Sequence, residues 1–374
     1  MSEAIKAIAV RTALQAGAGA VRVCDAMADE TARRRLQAAF RRGDLGTWGY
    51  DDEYARRAAD PAELCRDARS VVCIVVPYAT ASTPGTTPLR GRVSNYAWSA
   101  DYHRQVRAIL ERVARAIDEA AGAAVTAIAC DTKPLAERAL AARSGLGWIG
   151  KHTNVIAPGL GSFIFLGEVA TTLRLPPDEP SRKTCGSCTR CVQACPTGAL
   201  RGDYTIDATR CIADLTQRTD AIPPAMRPLI GDWVWGCDLC QIACPPTQRA
   251  GARGGAQWFP LQPETAQPTL VDLLRLRSST FKRRFRATAM GWRGAAILRR
   301  NAAVALGNAL DRSAVGALAE SLAKDPHPLV RGHVAWALGR IGSPAAAAAL
   351  RRQSKLENDA GVCTEIEMAL RSLP

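Results

Sequence analysis

The chain has 374 residues, 47% of them hydrophobic, which is enough for one large core or two to three smaller ones. Its 13 cysteines accompany no secretory pattern, and no window approaches the ~20 apolar residues of a membrane span, so a disulfide scaffold and a membrane protein are excluded and a cytoplasmic protein is expected. Lys+Arg number 49 against 35 Asp+Glu, a formal charge of +14 that favours a polyanionic partner, nucleic acid first, although solvated arginine-rich faces give the same excess.

Arg33-Arg34-Arg35 is followed by Leu-Gln-Ala-Ala-Phe rather than an apolar run, so it reads as an amphipathic helix and not as an export signal. Ser70 to Tyr78 is a buried strand by its length and β-branching. Tyr102 to Ala121 is an amphipathic helix with Val106, Ile109, Leu110, Val113 and Ile117 on one face. Val125 to Asp131 is a short strand whose polar end falls on Asp131, Pro134 to Ser144 a helix, and Phe163 to Ala170 a third strand. Alternating strands and helices predict an α/β layer over 1–175. The Pro-rich stretch Leu175 to Pro180 leads into a cysteine module, 181–250.

Two runs in that module end in Cys-Pro. Cys185-Gly-Ser-Cys188-Thr-Arg-Cys191-Val-Gln-Ala-Cys195-Pro196 is the full bacterial ferredoxin run, in which three thiolates hold one cubane and the fourth crosses to the other. Cys237-Asp-Leu-Cys240-Gln-Ile-Ala-Cys244-Pro245 lacks the middle cysteine. Two [4Fe-4S] clusters need eight thiolates, and Cys211 is the eighth. The count assigns Cys185, Cys188, Cys191 and Cys244 to one cluster and Cys195, Cys211, Cys237 and Cys240 to the other. Zinc also uses paired C-x2-C elements, but gives no reason for a crossed cysteine followed by proline.

Beyond Gly251 to Gly255 the composition turns helical, with a repetitive tail over 265–374. Asn301-Ala-Ala-Val-Ala-Leu306-Gly307 recurs as His333-Val-Ala-Trp-Ala-Leu338-Gly339 and, degraded, as Glu365-Ile-Glu-Met-Ala-Leu370. Such HEAT-like helical repeats bind partners rather than do chemistry. Arg299, Arg300, Arg331, Arg340, Arg351 and Arg352, preceded by Phe281-Lys-Arg-Arg-Phe-Arg286, either line one face of the tail or are ordinary solvated residues. No G-x-G-x-x-G sits at a strand–helix junction, which leaves a nicotinamide or flavin Rossmann site little support. Gly145-Leu-Gly147-Trp-Ile-Gly150-Lys151 begins after a helix and reads as a backbone loop approaching a large flat ligand.

Over nearly its whole length the chain resembles the epoxyqueuosine reductases, iron–sulfur and cobalamin enzymes of tRNA queuosine biosynthesis. The resemblance rests on Tyr54-Ala-Arg56, Gly91-Arg-Val-Ser94-Asn-Tyr-Ala97, Asp101-Tyr102-His103, Asp131-Thr-Lys-Pro134-Leu-Ala-Glu137-Arg138, Ser144-Gly-Leu-Gly-Trp148-Ile-Gly-Lys151-His152, Gly161-Ser-Phe-Ile-Phe-Leu-Gly167-Glu168 and Gly236-Cys237-Asp238-Leu-Cys240-Gln241. It implies an α/β cobalamin-binding domain, a ferredoxin-like two-[4Fe-4S] module and C-terminal α-helical HEAT-like repeats that help to grip tRNA. It further implies reduction of epoxyqueuosine at the wobble position to queuosine and water, with electrons passed from a low-potential donor through the clusters to cobalamin. A monomer is expected. By the same resemblance Asp131 is the proton donor, with a pKa that burial must raise. Arg56, Ser94, Asp131, Val155, Leu166 and Asp238 are the implied cobalamin-binding positions.

Bland readings stand beside these. Asp131 is equally an N-terminal cap for the helix entered at Pro134, Arg56 a surface arginine, and Tyr102 and His103 ordinary helix-start residues. Three departures from the family stand out. Lys133 occupies a usually small position, Pro246-Thr247 replaces Trp-Asn, and no Asp-x-His-x-x-Gly cobalt-ligating motif is present, so no protein histidine on cobalt is expected. A corrinoid reductive dehalogenase, or a non-corrinoid iron–sulfur electron-transfer protein, is the alternative. Bound cobalamin separates the second of these, and activity on modified tRNA the first.

Overall fold

The computed structural model describes residues 1–80, 88–251, 253, 255, 259–260 and 262–373. Residues 252 and 254 of the expected boundary at Gly251 to Gly255 lie outside that set. The chain divides into two compact units. The first joins Met1–Ala81, Asp101–Thr209 and Leu239–Pro260; the second joins Ser82–Ala100, Arg210–Asp238 and Leu261–Pro374. The cysteine segment contributes to both.

The first unit is built on a four-stranded sheet of β1 (Ala20–Asp25), β2 (Ser70–Pro77), β3 (Thr126–Ala129) and β4 (Ile164–Thr171), in the order β1-β2-β4-β3. All three pairings are antiparallel. The alternation of strand and helix therefore does not make a parallel βαβ sheet. β2 lies between β1 and β4, and each of its eight residues is buried, which explains its unbroken apolar run. β1 escapes a periodicity reading because Arg22 and Asp25 interrupt it.

Helix α1 (Ser2–Ala16) packs on the long helix α4 (Tyr102–Ala121), which covers one face of the sheet; α2 (Glu30–Arg41) holds the arginine triplet, and α3 (Asp52–Ala58) packs on α2. α4 spans the expected residues and buries the expected five, Val106, Ile109, Leu110, Val113 and Ile117. Each contributes about 1.5–3 kcal/mol on burial. Asp101 caps α4 by accepting from the His103 N–H, and Gly122 ends it in the left-handed conformation. On β4, a Cβ at Gly167 would stand 3.0 Å from Val106 and Leu110, so the missing side chain lets α4 lie close. Side chains alternate across a strand, and Glu168 accordingly faces the other side, toward α5 (Glu137–Arg143). That side is an apolar layer including Cys24, Val71, Cys73, Ala129, Leu140 and Val155.

The second unit carries the repeats. α6 (Ala295–Ala309), α8 (Pro328–Ile341) and α10 (Ala360–Arg371) pack in succession, with α7 (Val315–Lys324) and α9 (Pro344–Gln353) between them in the chain. Gly307 and Gly339 mark the close crossings: a Cβ on the first would come within 2.7 Å of Trp336, and on the second within 2.8 Å of Ala369. The degraded third repeat has Arg371 at the corresponding place. Polar residues of α6 and α8 hold the 210–238 segment. Asn301 Nδ2 donates to the carbonyls of Thr216 and Val234, Asn308 Nδ2 to those of Arg227 and Gly231, and His333 Nε2 accepts the Ile222 N–H. Buried Arg227 forms a two-pronged ion pair with Glu365.

Candidate active site and cluster ligands

Asp131 follows β3 in the first unit and has φ 56°, a left-handed conformation that disfavours a side chain. Helix α5 starts only at Glu137, with Ala136 at its N-cap and no side-chain cap. The helix expected from Pro134 is thus three residues shorter at its start, because a turn closed by Leu135 N–H to the Lys133 carbonyl intervenes. Asp131 caps nothing. Its carboxylate instead accepts from Tyr102 Oη at 2.6 Å and lies 3.3 Å from His103 Nε2. The His103 Nδ1 is 2.6 Å from Asp101 Oδ1. Tyr102 stacks face to face on Phe165 of β4, centroids 4.0 Å apart, which fixes the phenol against Asp131.

These contacts reverse one expectation. The hydrogen bond with His103 outweighs burial and holds the Asp131 carboxyl below its ordinary value; its side chain is 60% exposed. The raised group is His103, pushed up to about 9 by hydrogen bonds to Asp101 and then Asp131. A helix N-terminus disfavours an imidazolium, so the two carboxylates win. Lys133 is exposed, and the cationic side chains acting most on Asp131 are His103 and Arg138.

The other cobalamin-binding candidates are placed as follows. Arg56 on α3 is exposed and paired with Glu53 and Glu63. Val155 is buried in the apolar layer, so any ligand contact there would come from its backbone, and Leu166 is partly buried against the same layer. In the second unit Ser94 Oγ donates to Asp238 Oδ1 at 2.6 Å, and the Asn95 N–H to Asp238 Oδ2 at 2.7 Å. Both residues are buried. Among the described residues, Trp148 Nε1 and His152 Nε2 in the first unit and Asn95 Oδ1 in the second are buried without hydrogen-bond partners. Unpaired polar atoms of this kind suit a ring fringed with amides.

Of the cysteines, Cys185, Cys188, Cys191, Cys195, Cys240 and Cys244 belong to the first unit and Cys211 and Cys237 to the second. Burial raises Cys191 and Cys244, and their thiol neighbours add to it: Cys185 acts on both and Cys188 on Cys244. Cys244 also acts on Cys191. These are the four thiols that the count assigned to one cluster. Among the described residues no three His, Cys, Asp or Glu side chains converge on the spacing of a single ion; ligands around a cubane stand farther apart.

Two residues tie these cysteines to the rest of the unit. Lys151 Nζ donates to the Gly186 carbonyl at 2.8 Å. Thr247, the second residue of the Pro246-Thr247 departure, is buried and its Oγ1 lies 3.1 Å from the Ser162 N–H. A Cβ at Gly161 would come within 2.6 Å of the Thr247 Cα, so the departure packs closely against the 161–162 turn.

Three arginines of the tail are structural rather than free to meet a ligand. Arg299 pairs with Asp325, Arg331 with Glu357, and Arg300 is fully buried, donating to the carbonyls of Leu215, Arg218 and Asp220. Lys282, Arg283, Arg286, Arg340, Arg351 and Arg352 are exposed.

Sequence reasoning undervalued His103 and passed over Glu137 and Glu168. The signal for Glu168 was present: an acidic residue inside the apolar run of β4.

A family model described as "Epoxyqueuosine reductase QueG, DUF1730" matches residues 58–132, one for a 4Fe-4S double cluster binding domain 184–247, and one for HEAT repeats 293–371. The chain is 35% identical over 329 residues to an epoxyqueuosine reductase of Bacillus subtilis, covering 87% of this chain and 85% of that one. To one of Xanthomonas campestris it is 37% identical over 313 residues, covering 82% and 88%. Its fold is similar to an epoxyqueuosine reductase solved with an epoxyqueuosine-modified tRNA-Tyr stem loop, at a TM-score of 0.93 and 32% identity over 100% of both chains. A Bacillus subtilis structure whose catalytic aspartate loop is swung out of the active site is similar at 0.92 and 32%, again over 100% of both.

Proposed function

Since the chain belongs to the epoxyqueuosine reductase family, we propose that it reduces epoxyqueuosine in the tRNA anticodon to queuosine, with Asp131 delivering a proton to the departing oxygen. The observation that carries this reading is the Tyr102–His103–Asp131 cluster, an exposed carboxylate that accepts from the Tyr102 hydroxyl and lies 3.3 Å from His103 Nε2. Reduction of the epoxide to the alkene takes two electrons and two protons, breaks both C–O bonds and releases water.

Cobalamin, when bound, supplies the reducing power that opens the epoxide, with electrons arriving singly through two [4Fe-4S] clusters from a low-potential donor. Cys185, Cys188, Cys191 and Cys244 hold one cluster; Cys195, Cys211, Cys237 and Cys240 hold the other. Polar groups that would hold cobalamin are Arg56, Asp131 and the backbone around Val155 and Leu166 in the first unit, and Ser94 and Asp238 in the second. Asp131 is ionised at rest, so the proton it gives must first reach it. His103 Nε2 holds that proton 3.3 Å away, and Asp101 on Nδ1 keeps the ring charged and oriented. Transfer from Nε2 to Oδ2 makes Asp131 the acid only when negative charge develops on the substrate oxygen, which offsets the cost of discharging the imidazolium.

The test is anaerobic reconstitution with iron, sulfide and cobalamin, a low-potential reductant, and nucleoside analysis of epoxyqueuosine-containing tRNA. Queuosine formation is expected. None, with clusters and cobalamin demonstrably loaded, refutes the reading.

A further inference from the structure

Two carboxyls behind Asp131 take no part in the chemistry just described. Glu168 on β4 is 0% exposed and neither of its oxygens has a hydrogen-bond partner among the described residues. Its strand neighbours are Cys73 on β2 and Ala129 on β3, and its side chain points into the apolar layer beneath α5. A lone carboxylate there would be costly to keep ionised. The acidic group that acts on it most is Glu137, the first residue of α5. Glu137 in turn accepts the Asp131 N–H on Oε1 at 2.5 Å. Glu137 thus joins two features: it is the acidic group that bears most on the buried Glu168, and it holds the backbone of the residue proposed as proton donor in a conformation that disfavours side chains.

We propose that Glu137 is a positioning residue: it clamps the Asp131 N–H so that the turn presents its carboxylate to Tyr102 and His103, while Glu168, buried behind it, stays protonated. The inference rests on the proposed function only in calling Asp131 the proton donor; the clamp itself is a claim about the turn. Glu137 gains its hold from charge, since an ionised acceptor makes the stronger hydrogen bond. Glu168, pushed well above the ordinary carboxylate range by burial and then by Glu137, keeps the proton that allows its neighbour to ionise. Burial raises Glu137 to about 7. The other groups facing the pair are Asp131, Arg138, Cys24, Cys73, Cys130 and Tyr54, of which only Arg138 is cationic. The clamp strengthens as pH rises through about 7 and weakens below it.

The experiment follows amide hydrogen exchange of the Asp131 turn in the full chain across neutral pH, corrected for intrinsic exchange, beside kcat and KM for the modified tRNA. Glu137→Ala is expected to lower protection of the Asp131 amide by at least about tenfold and to lower kcat, by up to ~10²-fold for a displacement near 1 Å, with KM little changed. Glu137→Gln still offers an oxygen to the N–H but never ionises, so its protection and kcat should fall between those of Glu137→Ala and the parent and lose their change near neutrality. An infrared band of a protonated carboxyl, present in the parent at neutral pH, should vanish in Glu168→Gln. Unchanged protection in Glu137→Ala, equal losses in Glu137→Gln and Glu137→Ala, or no protonated-carboxyl band would each overturn the proposal. Exchange and infrared readings need no turnover. A parent that makes no queuosine yet shows the exchange pattern refutes the function and leaves the clamp standing.

Discussion

At the scale of single residues the function turns on who holds the proton. Burial raises the Asp131 carboxyl, but that side chain is largely in solvent and is held by Tyr102 and His103, so the imidazole is the group displaced toward the protonated state. Asp131→Asn keeps the shape and removes the acid; kcat should fall about 10²–10⁴-fold, with tRNA binding intact, as measured by single-turnover reduction and a separate binding assay. His103 is protonated below about 9, so the rate should decline as pH rises through that value, and the decline should disappear from the pH profile of His103→Gln. The same pairing stabilises the fold. A raised histidine contributes fully below its ordinary 6.5 and loses that contribution as pH rises through about 9.

At the scale of elements, periodicity was a reliable guide where a face meets a core and a poor one where an end is set by a turn. The five apolar positions of α4 recur at helical spacing, and its limits coincide with Asp101 and Gly122. The start of α5 was misplaced because nothing local to Pro134 reveals that Asp131 turns left-handed and holds the next residues out of the helix. In the repeats, glycine at 307 and 339 lowers helix propensity by about 1 kcal/mol relative to alanine, and close helix crossing explains its presence. Gly339→Val places new atoms against the Cβ and Cα of Ala369. It should destabilise the chain by about 1–3 kcal/mol, read from denaturant midpoints, while leaving cluster content unchanged.

At the scale of the whole molecule, the charge of +14 divides into cations with and without work inside the fold. Arg227, Arg299, Arg300 and Arg331 hold the second unit together, whereas Lys282 and Arg283 are exposed on a helix whose Phe281 and Phe285 are buried. Replacing Lys282 and Arg283 together by alanine should raise KM for tRNA without changing kcat, and should reduce the salt dependence of binding by roughly two ions if both touch phosphate. Among the described residues no helix is long and apolar enough to cross a membrane. The ligand count makes a second whole-chain prediction: Cys211→Ala should lose about half the iron and spare the spectroscopic signature of the Cys185 cluster.

What the sequence determined by itself was whatever depends on covalent spacing or repeating pattern: the paired Cys-Pro runs, the apolar faces of α4 and β2, and the helical repeat with its glycines. Those features are local because a cluster-binding loop, a strand and a helix turn each read only a few successive residues. The tertiary structure alone decided the antiparallel order of the sheet, which arginines are internal, and the protonation of the site. Each of these depends on residues far apart in the chain: Asp131 receives Tyr102 and His103 from a helix 29 positions earlier, and Glu137 meets a carboxyl placed by β4. A carboxyl's proton affinity is set by the charges and water around it, and those are supplied only when the chain has folded.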